Sequence, residues 1–403
     1  MNKLFGKTQG DKVIWAIVVI LSLVSVLAVY SSTGTLAYRM QKGHTEYYLF
    51  KQFAELALGI LIIYFSHRVN YTVYSRIAVV LFLISIPLLI YTLFFGSNIN
   101  EANRWIKLPV INLTFQTSDM AKLALFMYIS RQLSRKQNVI KDFKKGFLPI
   151  IVPVCIICGL IMPANMSTAL LLGASCMLLC FIGRVNIKYL LAMAGIGILG
   201  IALVVTIVLA TGVGGGRAET WKNRIAHFKQ TEKTDAPYQV QQAKIAVANG
   251  GTFGRGPGNS EQRNFLPHPY SDFIYAIIIE EYGLAGGFLM IAFYMIFLFR
   301  SIRIFRRCPY AFGAFLAVGL SFTLVIQAFA NMAVNVNLFP VTGVTLPLVS
   351  MGGTSIWFTS LAIGIILSVS RNVEETEGRQ ITADKTTVNT SDAFSPAPAE
   401  AVA

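Results

Sequence analysis

Charge is scarce in this chain, and acid scarcer still. Of 403 residues only 13% are charged, and Asp and Glu together number 19 against 34 Lys and Arg. Soluble proteins spend about a quarter of their residues on charge, whereas here 55% are hydrophobic, which excludes a soluble two-domain enzyme and implies a membrane protein. Cysteines number five. Cys155, Cys158, Cys176 and Cys180 sit within apolar runs and Cys308 beside a basic stretch, so no pair is left for an external disulfide. Cys155 and Cys158 have metal-like spacing but no nearby His, and read as small residues of an apolar helix. No Gly-Lys-Ser/Thr follows the glycine-rich GGTFGRGPGNS of 250–260, so it is no Walker loop, and the GVGGG of 212–216 is an equally weak nucleotide signal. The net charge of +15 comes without an aromatic-interleaved basic domain, so nucleic acid is not expected as a partner.

What is present is a series of apolar runs, each long enough for a hydrocarbon core of roughly 30 Å. They fall near 13–32, 49–66, 77–95, 119–134, 147–163, 167–184, 188–211, 272–299, 311–331 and 349–370. The expected fold is an all-α integral membrane protein of about ten transmembrane helices. It has a cytoplasmic segment 1–12, a membrane domain 13–370 with a large extracytoplasmic loop at 212–271 between helices 7 and 8, and a disordered cytoplasmic tail 371–403. With the N-terminus inside, 20 of the 34 Lys and Arg fall on the cytoplasmic side and eight of the rest lie in the long loop, so both termini are read as cytoplasmic. The first run follows MNKLFGKTQGDK without a clear small-residue cleavage site and reads as a retained helix.

Only Glu55, Asp119, Asp272, Glu280 and Glu281 fall in or at the ends of these runs. Glu55 follows Lys51 by four residues, which suggests an ion pair on one helix face. Asp272 stands where water gives way to hydrocarbon, and a carboxylate there is costly unless partnered or used. Glu280 and Glu281 come about two turns later. One of them is expected to brace the Asp272 helix and the other to meet a different element. Before the fourth run, Arg104 and Lys107 precede a loop with Pro109, Thr117 or Ser118 is placed to cap the helix, and Lys122 lies one turn in. A helix N-terminus with such cations makes a receptor for phosphate. Pairing of Lys122 with Asp119 at i,i+3 is the competing reading. Residues 331–355 mix Asn, Pro and Gly into hydrophobic sequence, a pattern of interrupted helix that lines a cavity or packs against neighbours.

Four ordered motifs carry a resemblance: NRWI with QTSDMAK, YQVQQAKIAVANGGTFGRGPGNS, LPHPYSDFIYAIIIEEYGLAGG, and LFPVTGVTLPLVSMGGTS. Over about residues 13–370 the chain resembles the SEDS proteins, ten-helix peptidoglycan glycosyltransferases of shape, elongation, division and sporulation, and its GPGNS element is more similar to the division branch than to the elongation branch. The resemblance implies polymerisation of lipid II at the outer face of the bacterial cytoplasmic membrane, at the division septum. A monofunctional class B penicillin-binding transpeptidase and other divisome proteins would be partners. It assigns Asp272 as catalytic and Arg104 and Lys122 to the lipid diphosphate. From the matched motifs, Asn103, Trp105, Gln116, Ser118, Gln242 and Ser350 are further substrate-binding or supporting residues, with Glu280 and Glu281 as supports. Departures occur at Glu101-Ala102 for Gly-Ala, at Gln116-Thr117-Ser118-Asp119 for Gln-Pro-Ser-Glu, and at Asn165-Met166-Ser167-Thr168 for Asp-Leu-Gly-Thr.

Joining the 4-hydroxyl of one GlcNAc to C1 of a MurNAc with a lipid diphosphate leaving group needs one general base and a few cations. The expected inversion puts the base opposite the leaving group. Asp272 as base, with Arg104 and Lys122 on the diphosphate, satisfies this. Whether a divalent cation, Mg2+ or Mn2+, bridges Asp272 and diphosphate stays open at this point, as do a lipid II flippase and the elongation-type polymerase as alternatives. The topology makes one prediction: in a background without the five native cysteines, a cysteine at position 233 is labelled by a membrane-impermeant thiol reagent in whole cells and one at 141 is not. The reverse pattern would overturn the orientation.

Overall fold

The computed structural model describes residues 9–40, 44–99, 102–108, 113–211 and 238–392. Most of the basic loop, with Arg217, Lys222, Arg224, Lys229 and Lys233, lies outside them, as do Pro109 and the end of the tail. A helix occupies each of the ten apolar runs: α1 Lys12–Ser32, α3 Thr45–Arg68, α4 Tyr71–Phe95, α5 Thr117–Arg135, α6 Leu148–Ile161, α7 Met166–Ile182, α8 Ile187–Thr211, α10 Ile274–Arg307, α11 Ala311–Asn335 and α12 Thr354–Asp392. Two short ones join them, α2 Gly34–Met40 and α9 Tyr238–Gly250. Among the described residues seven helical stretches are long and apolar enough to cross a membrane, and α7 and the first part of α8 are shorter apolar helices.

Helices in lipid pack through small residues and buried hydrogen bonds, because hydrocarbon offers no hydrophobic drive between them. The α3–α12 contact follows that rule. A Cβ added to Gly59 would lie 2.7 Å from Ser360 Oγ, and one added to Gly364 would lie 2.6 Å from Ser66 Cβ. This face of α3 also carries Glu55, four residues before Gly59, so Glu55 is buried against α12 with 7% exposure. Lys51 is exposed and the expected ion pair with Glu55 is not formed. At the N-terminus Asp11 caps α1, accepting from the Val13 and Ile14 amides, and its other oxygen meets Arg300 of α10 at 2.5 Å.

Between α4 and α5 the sequence suggested a loop, and the structure has a three-stranded antiparallel sheet in the order β1 Ser97–Ile99, β2 Ala102–Leu108, β3 Leu113–Gln116. Trp105 pairs with Gln116 across β2 and β3, and Lys107 with Thr114. Because β3 runs straight into α5, the helix starts at Thr117, two residues earlier than expected. Gln116 takes the cap position without a side-chain bond, so neither Thr117 nor Ser118 caps it. The first residue of α12 holds this strand: Thr354 Oγ1 donates to the Thr114 carbonyl at 3.1 Å and accepts from the Gln116 amide at 3.3 Å. At the other end α12 runs to Asp392, into the segment expected as a cytoplasmic tail. An Arg371–Glu375 pair at 3.3 Å supports the turn, and no proline interrupts the chain before Pro396.

Helix α10 is broken at Gly283, whose φ of 70° and ψ of −172° leave the helical region. The glycine-rich segment of 250–258 fills the break. The Arg255 and Gly256 amides donate to the freed carbonyls of Glu280 and Glu281, both at 3.0 Å, while the freed amides of Leu284 and Ala285 donate to Gly251 and Thr252 carbonyls at 2.9 and 3.2 Å. An open backbone at membrane depth is tolerated only when its groups find such partners. The approach is close: a Cβ on Gly283 would meet the Thr252 carbonyl oxygen at 2.3 Å. Gly283→Ala is therefore expected to destabilise the fold by about 3 kcal/mol or more, read as a lowered thermal midpoint of the purified protein. An unchanged midpoint would contradict the packing of the break.

Candidate active site

One cavity of about 620 Å³ gathers residues from elements far apart in sequence. Trp105 of β2 and Thr114 and Gln116 of β3 form one wall, sharing a sheet face because paired and alternate residues point the same way. Asp119 and Lys122 come from the first two turns of α5, Thr168 from α7, Gln239 from α9, and Gln327 from α11. The turn before α10 contributes His268, Ser271 and Asp272, and the irregular chain from Val341 to Thr345 closes the far side. Asp272 and Lys122, 150 positions apart in the sequence, thus face one space.

Asp272 lies in a turn two residues before α10, whose cap residue Phe273 makes no side-chain bond. Its place is set through its main chain. The Asp272 carbonyl accepts from Asn331 Nδ2 and from Asn335 Nδ2 of α11, both at 2.9 Å. Asn335 Oδ1 accepts from the Ala276 amide at 3.0 Å, satisfying a donor at the start of α10. Asn331 Nδ2 also donates to Val344 at 2.7 Å, which ties the irregular chain to the same anchor. Ser350 Oγ donates to the Ser271 carbonyl at 2.6 Å and accepts from the Leu346 amide at 2.8 Å, and the Met351 amide donates to the Tyr270 carbonyl at 2.9 Å. Gly343, at φ +65°, passes so close that a Cβ there would stand 3.6 Å from Asp272 Oδ2. Burial raises the pKa of the Tyr270 phenol, and Tyr48 and the Asp272 charge raise it further. Tyr270 therefore stays neutral beside the carboxylate.

Lys122 forms the Asp119 pair of the competing reading and also lines the cavity. Its Nζ pairs with Asp119 Oδ1 at 2.6 Å and donates to Gln327 Oε1 at 3.3 Å while lining the cavity. Gln327 Nε2 in turn donates to the Thr345 carbonyl at 3.0 Å. Gln327, Asn331 and Asn335 form a ladder at i,i+4 spacing on one face of α11, and residue-by-residue reading of the sequence missed all three. Three amides recurring every fourth residue inside an apolar helix were the available signal, since such side chains in lipid are kept where they find partners.

Other expected site residues take different places. The backbone of Asn103 and Arg104 runs through β2, but their side chains lie outside the described residues. Ser118 accepts from Gln116 Nε2 at 3.0 Å and borders a separate small cavity. Gln242 does not line the site, because α9 packs Ala243 and Ala246 against Phe273, Ala276 and Ile277 and thereby turns Gln239 to the cavity instead. Ser350 is buried behind the site and acts on Ser271. Glu280 and Glu281 lie outside the lining. Glu280 accepts from the Ser260 hydroxyl and from the Glu261 and Gln262 amides at 3.3 Å, bracing the loop that patches α10. Glu281 accepts from Ser31 of α1, whose carbonyl also receives Arg263 at 3.0 Å. Asn165, where the resemblance has an acid, accepts from the Thr168 amide at 3.2 Å and caps α7.

Removing one partner of a buried ion pair costs about 3–5 kcal/mol, because the other charge is left uncompensated. Asp119 is 5% exposed and Lys122 14%. Lys122→Met alone should lower the thermal midpoint, and Lys122→Met with Asp119→Leu should recover most of the loss. Equal midpoints for the single and double variants would contradict the pairing.

Comparison with known proteins gives this arrangement a lineage. The FtsW/RodA/SpoVE family model, described as cell cycle protein, matches residues 11–375. A Trichlorobacter lovleyi protein named probable peptidoglycan glycosyltransferase FtsW is 32% identical over 379 residues, covering 93% of this chain and 96% of that one. Stage V sporulation protein E of Bacillus subtilis is 30% identical over 370 residues, covering 91% and 98%. Among solved structures, Thermus thermophilus rod shape determining protein RodA superposes with a TM-score of 0.65 at 21% identity over 90% of this chain and 97% of that one. A chain from a peptidoglycan synthase complex that coordinates polymerization and crosslinking gives 0.68 at 22% identity over 90% and 98%. With sequence, fold and length in agreement, the chain belongs to the FtsW/RodA/SpoVE family, the SEDS proteins, and is a multi-pass membrane protein.

Proposed function

We propose that this chain is a peptidoglycan glycosyltransferase that polymerises lipid II during septal wall synthesis. The observation that carries the reading is the single cavity holding both Asp272 and Lys122, in a chain whose relatives include proteins named for that activity. The donor is a lipid II or growing glycan whose MurNAc C1 bears the undecaprenyl diphosphate. The acceptor is the GlcNAc 4-hydroxyl of a second lipid II. Asp272 takes the hydroxyl proton as the oxygen bonds to C1, the bond from C1 to the phosphate oxygen breaks, and undecaprenyl diphosphate departs with both electrons of that bond. The proton passes from Asp272 to solvent before the next turn.

Lys122 compensates charge on the departing diphosphate, and Arg104 joins it. The Asp119 and Gln327 bonds hold the ammonium at the cavity wall, so its orientation precedes the substrate. Among the described residues no three His, Cys, Asp or Glu side chains come together as a metal cage. The cavity's acids are Asp272 and Asp119, the second paired with Lys122. One carboxylate with substrate phosphates suits Mg2+, which prefers such mixed shells. Mg2+ or Mn2+ entering with lipid II would be held by Asp272 and would neutralise charge on the leaving diphosphate. In the cell, both termini are cytoplasmic, the cavity opens at the outer face, and a class B penicillin-binding transpeptidase crosslinks the glycan product with other divisome proteins alongside.

Asp272→Asn keeps shape and removes basicity, so the purified variant with its transpeptidase partner and labelled lipid II should polymerise at least about 10²-fold more slowly than wild type, with lipid II binding retained. A near wild-type rate would rule out Asp272 as base. Movement of lipid II across vesicles by a wild-type chain that never polymerises it would replace the reading with a flippase.

A further inference from the structure

A second cavity, of about 570 Å³, lies at the end of the bundle away from Asp272. The helices define this opposition. Helix α5 enters at Lys122 by the first cavity and leaves at Arg131 and Arg135 by the second, and α11 starts at the second and ends with the asparagines that hold Asp272. Arg76 of α4 and Arg131 and Arg135 of α5 line the second cavity, and no acidic residue does. Arg131 and Arg135 are one turn apart on the same helix face, where like charges repel. Arg131 donates to the Ser75 carbonyl, yet none of the three arginines is ion-paired among the described residues.

Two long helices begin on this cavity, α4 at Tyr71 and α11 at Ala311. Asn70 answers the Thr72 amide at the first, and Cys308 Sγ stands over the first turn of the second, donating to the Tyr310 carbonyl at 3.4 Å. Three guanidinium groups with no acid among them match the phosphodiester of a lipid headgroup. Tyr310, 61% exposed at the rim, suits the level of lipid headgroups.

We propose that this cavity binds the headgroup of an acidic glycerophospholipid, the phosphodiester lying against Arg76, Arg131 and Arg135. Basic pockets between helix ends recognise such lipids through the same chemistry. The site is separate from the Asp272 cavity, so the proposal stands whatever reaction that cavity performs.

The test is native mass spectrometry of the purified full chain titrated with phosphatidylglycerol and, separately, phosphatidylcholine, with inorganic phosphate as a soluble arm. Arg76 and Arg135 are exposed, so Arg76→Gln with Arg135→Gln should leave the fold intact, checked by an unchanged thermal midpoint. Wild type is expected to retain phosphatidylglycerol over phosphatidylcholine, and the double variant to lose about 30-fold in phosphatidylglycerol affinity. Arg76→Lys with Arg135→Lys should keep part of it, since charge remains without the planar fork. Equal retention of both lipids by wild type, or an unaltered affinity in the glutamine variant, would overturn the proposal. Binding of inorganic phosphate as tight as that of phosphatidylglycerol, abolished by the same variant, would overturn the lipid as the source and assign a soluble phosphate.

Discussion

The main-chain carbonyl of Asp272 is held by two amide side chains from another helix, and much of the site's geometry depends on that grip. Asn331 and Asn335 each donate to it at 2.9 Å, and the same two residues bind Val344 and the Ala276 amide. One turn earlier on the same face, Gln327 receives Lys122 and reaches Thr345. A single helix face therefore fixes the acid, the lysine and the irregular chain between α11 and α12. Each such bond contributes about 1 kcal/mol net, but an orphaned buried carbonyl costs about 1–3 kcal/mol, so the ladder works as a unit. Its consequence is positional: the Asp272 main chain is fixed from α11 at the point where the residue lines the cavity.

A second constraint comes from the break in α10. Residues before Gly283 carry the turn of Asp272, and residues after it run to the basic end at Arg307. The break would expose four backbone groups, and the 250–258 segment supplies a partner to each. Glu280 then fastens the following turn through Ser260 and the amides of 261 and 262, and Glu281 fastens α1. The paired glutamates thus anchor two different elements to the short helix that carries the active-site turn. That division of labour follows from helical spacing, since adjacent residues point to different faces.

The ten apolar runs were legible because hydropathy over about twenty residues reports a hydrocarbon crossing directly. Asp272 was legible for the complementary reason, that an acid at such a run's edge needs a purpose. The sheet of 97–116 was not, since three short strands with little alternation resemble loop until their cross-strand partners are known. Gln242 and Ser350 were assigned to substrate because motif membership marks a neighbourhood and not a direction. The packing of Ala243 and Ala246 turns Gln239 inward instead, and Ser350 serves the Ser271 carbonyl. The Lys51–Glu55 contact pair is not formed: Glu55 is buried while Lys51 stays exposed, a tertiary effect invisible in local spacing.

The proposal of Asp272 as base requires lipid diphosphate and sugar hydroxyl to meet in the cavity between Lys122 and Asp272. Its most direct test is a cryo-EM structure of the Asp272→Asn variant with lipid II bound. The expected result is the diphosphate against Lys122 and an acceptor 4-hydroxyl within about 2.6–3.2 Å of the side chain at position 272. Lipid II seated elsewhere on the bundle, with this cavity filled only by solvent, would contradict it.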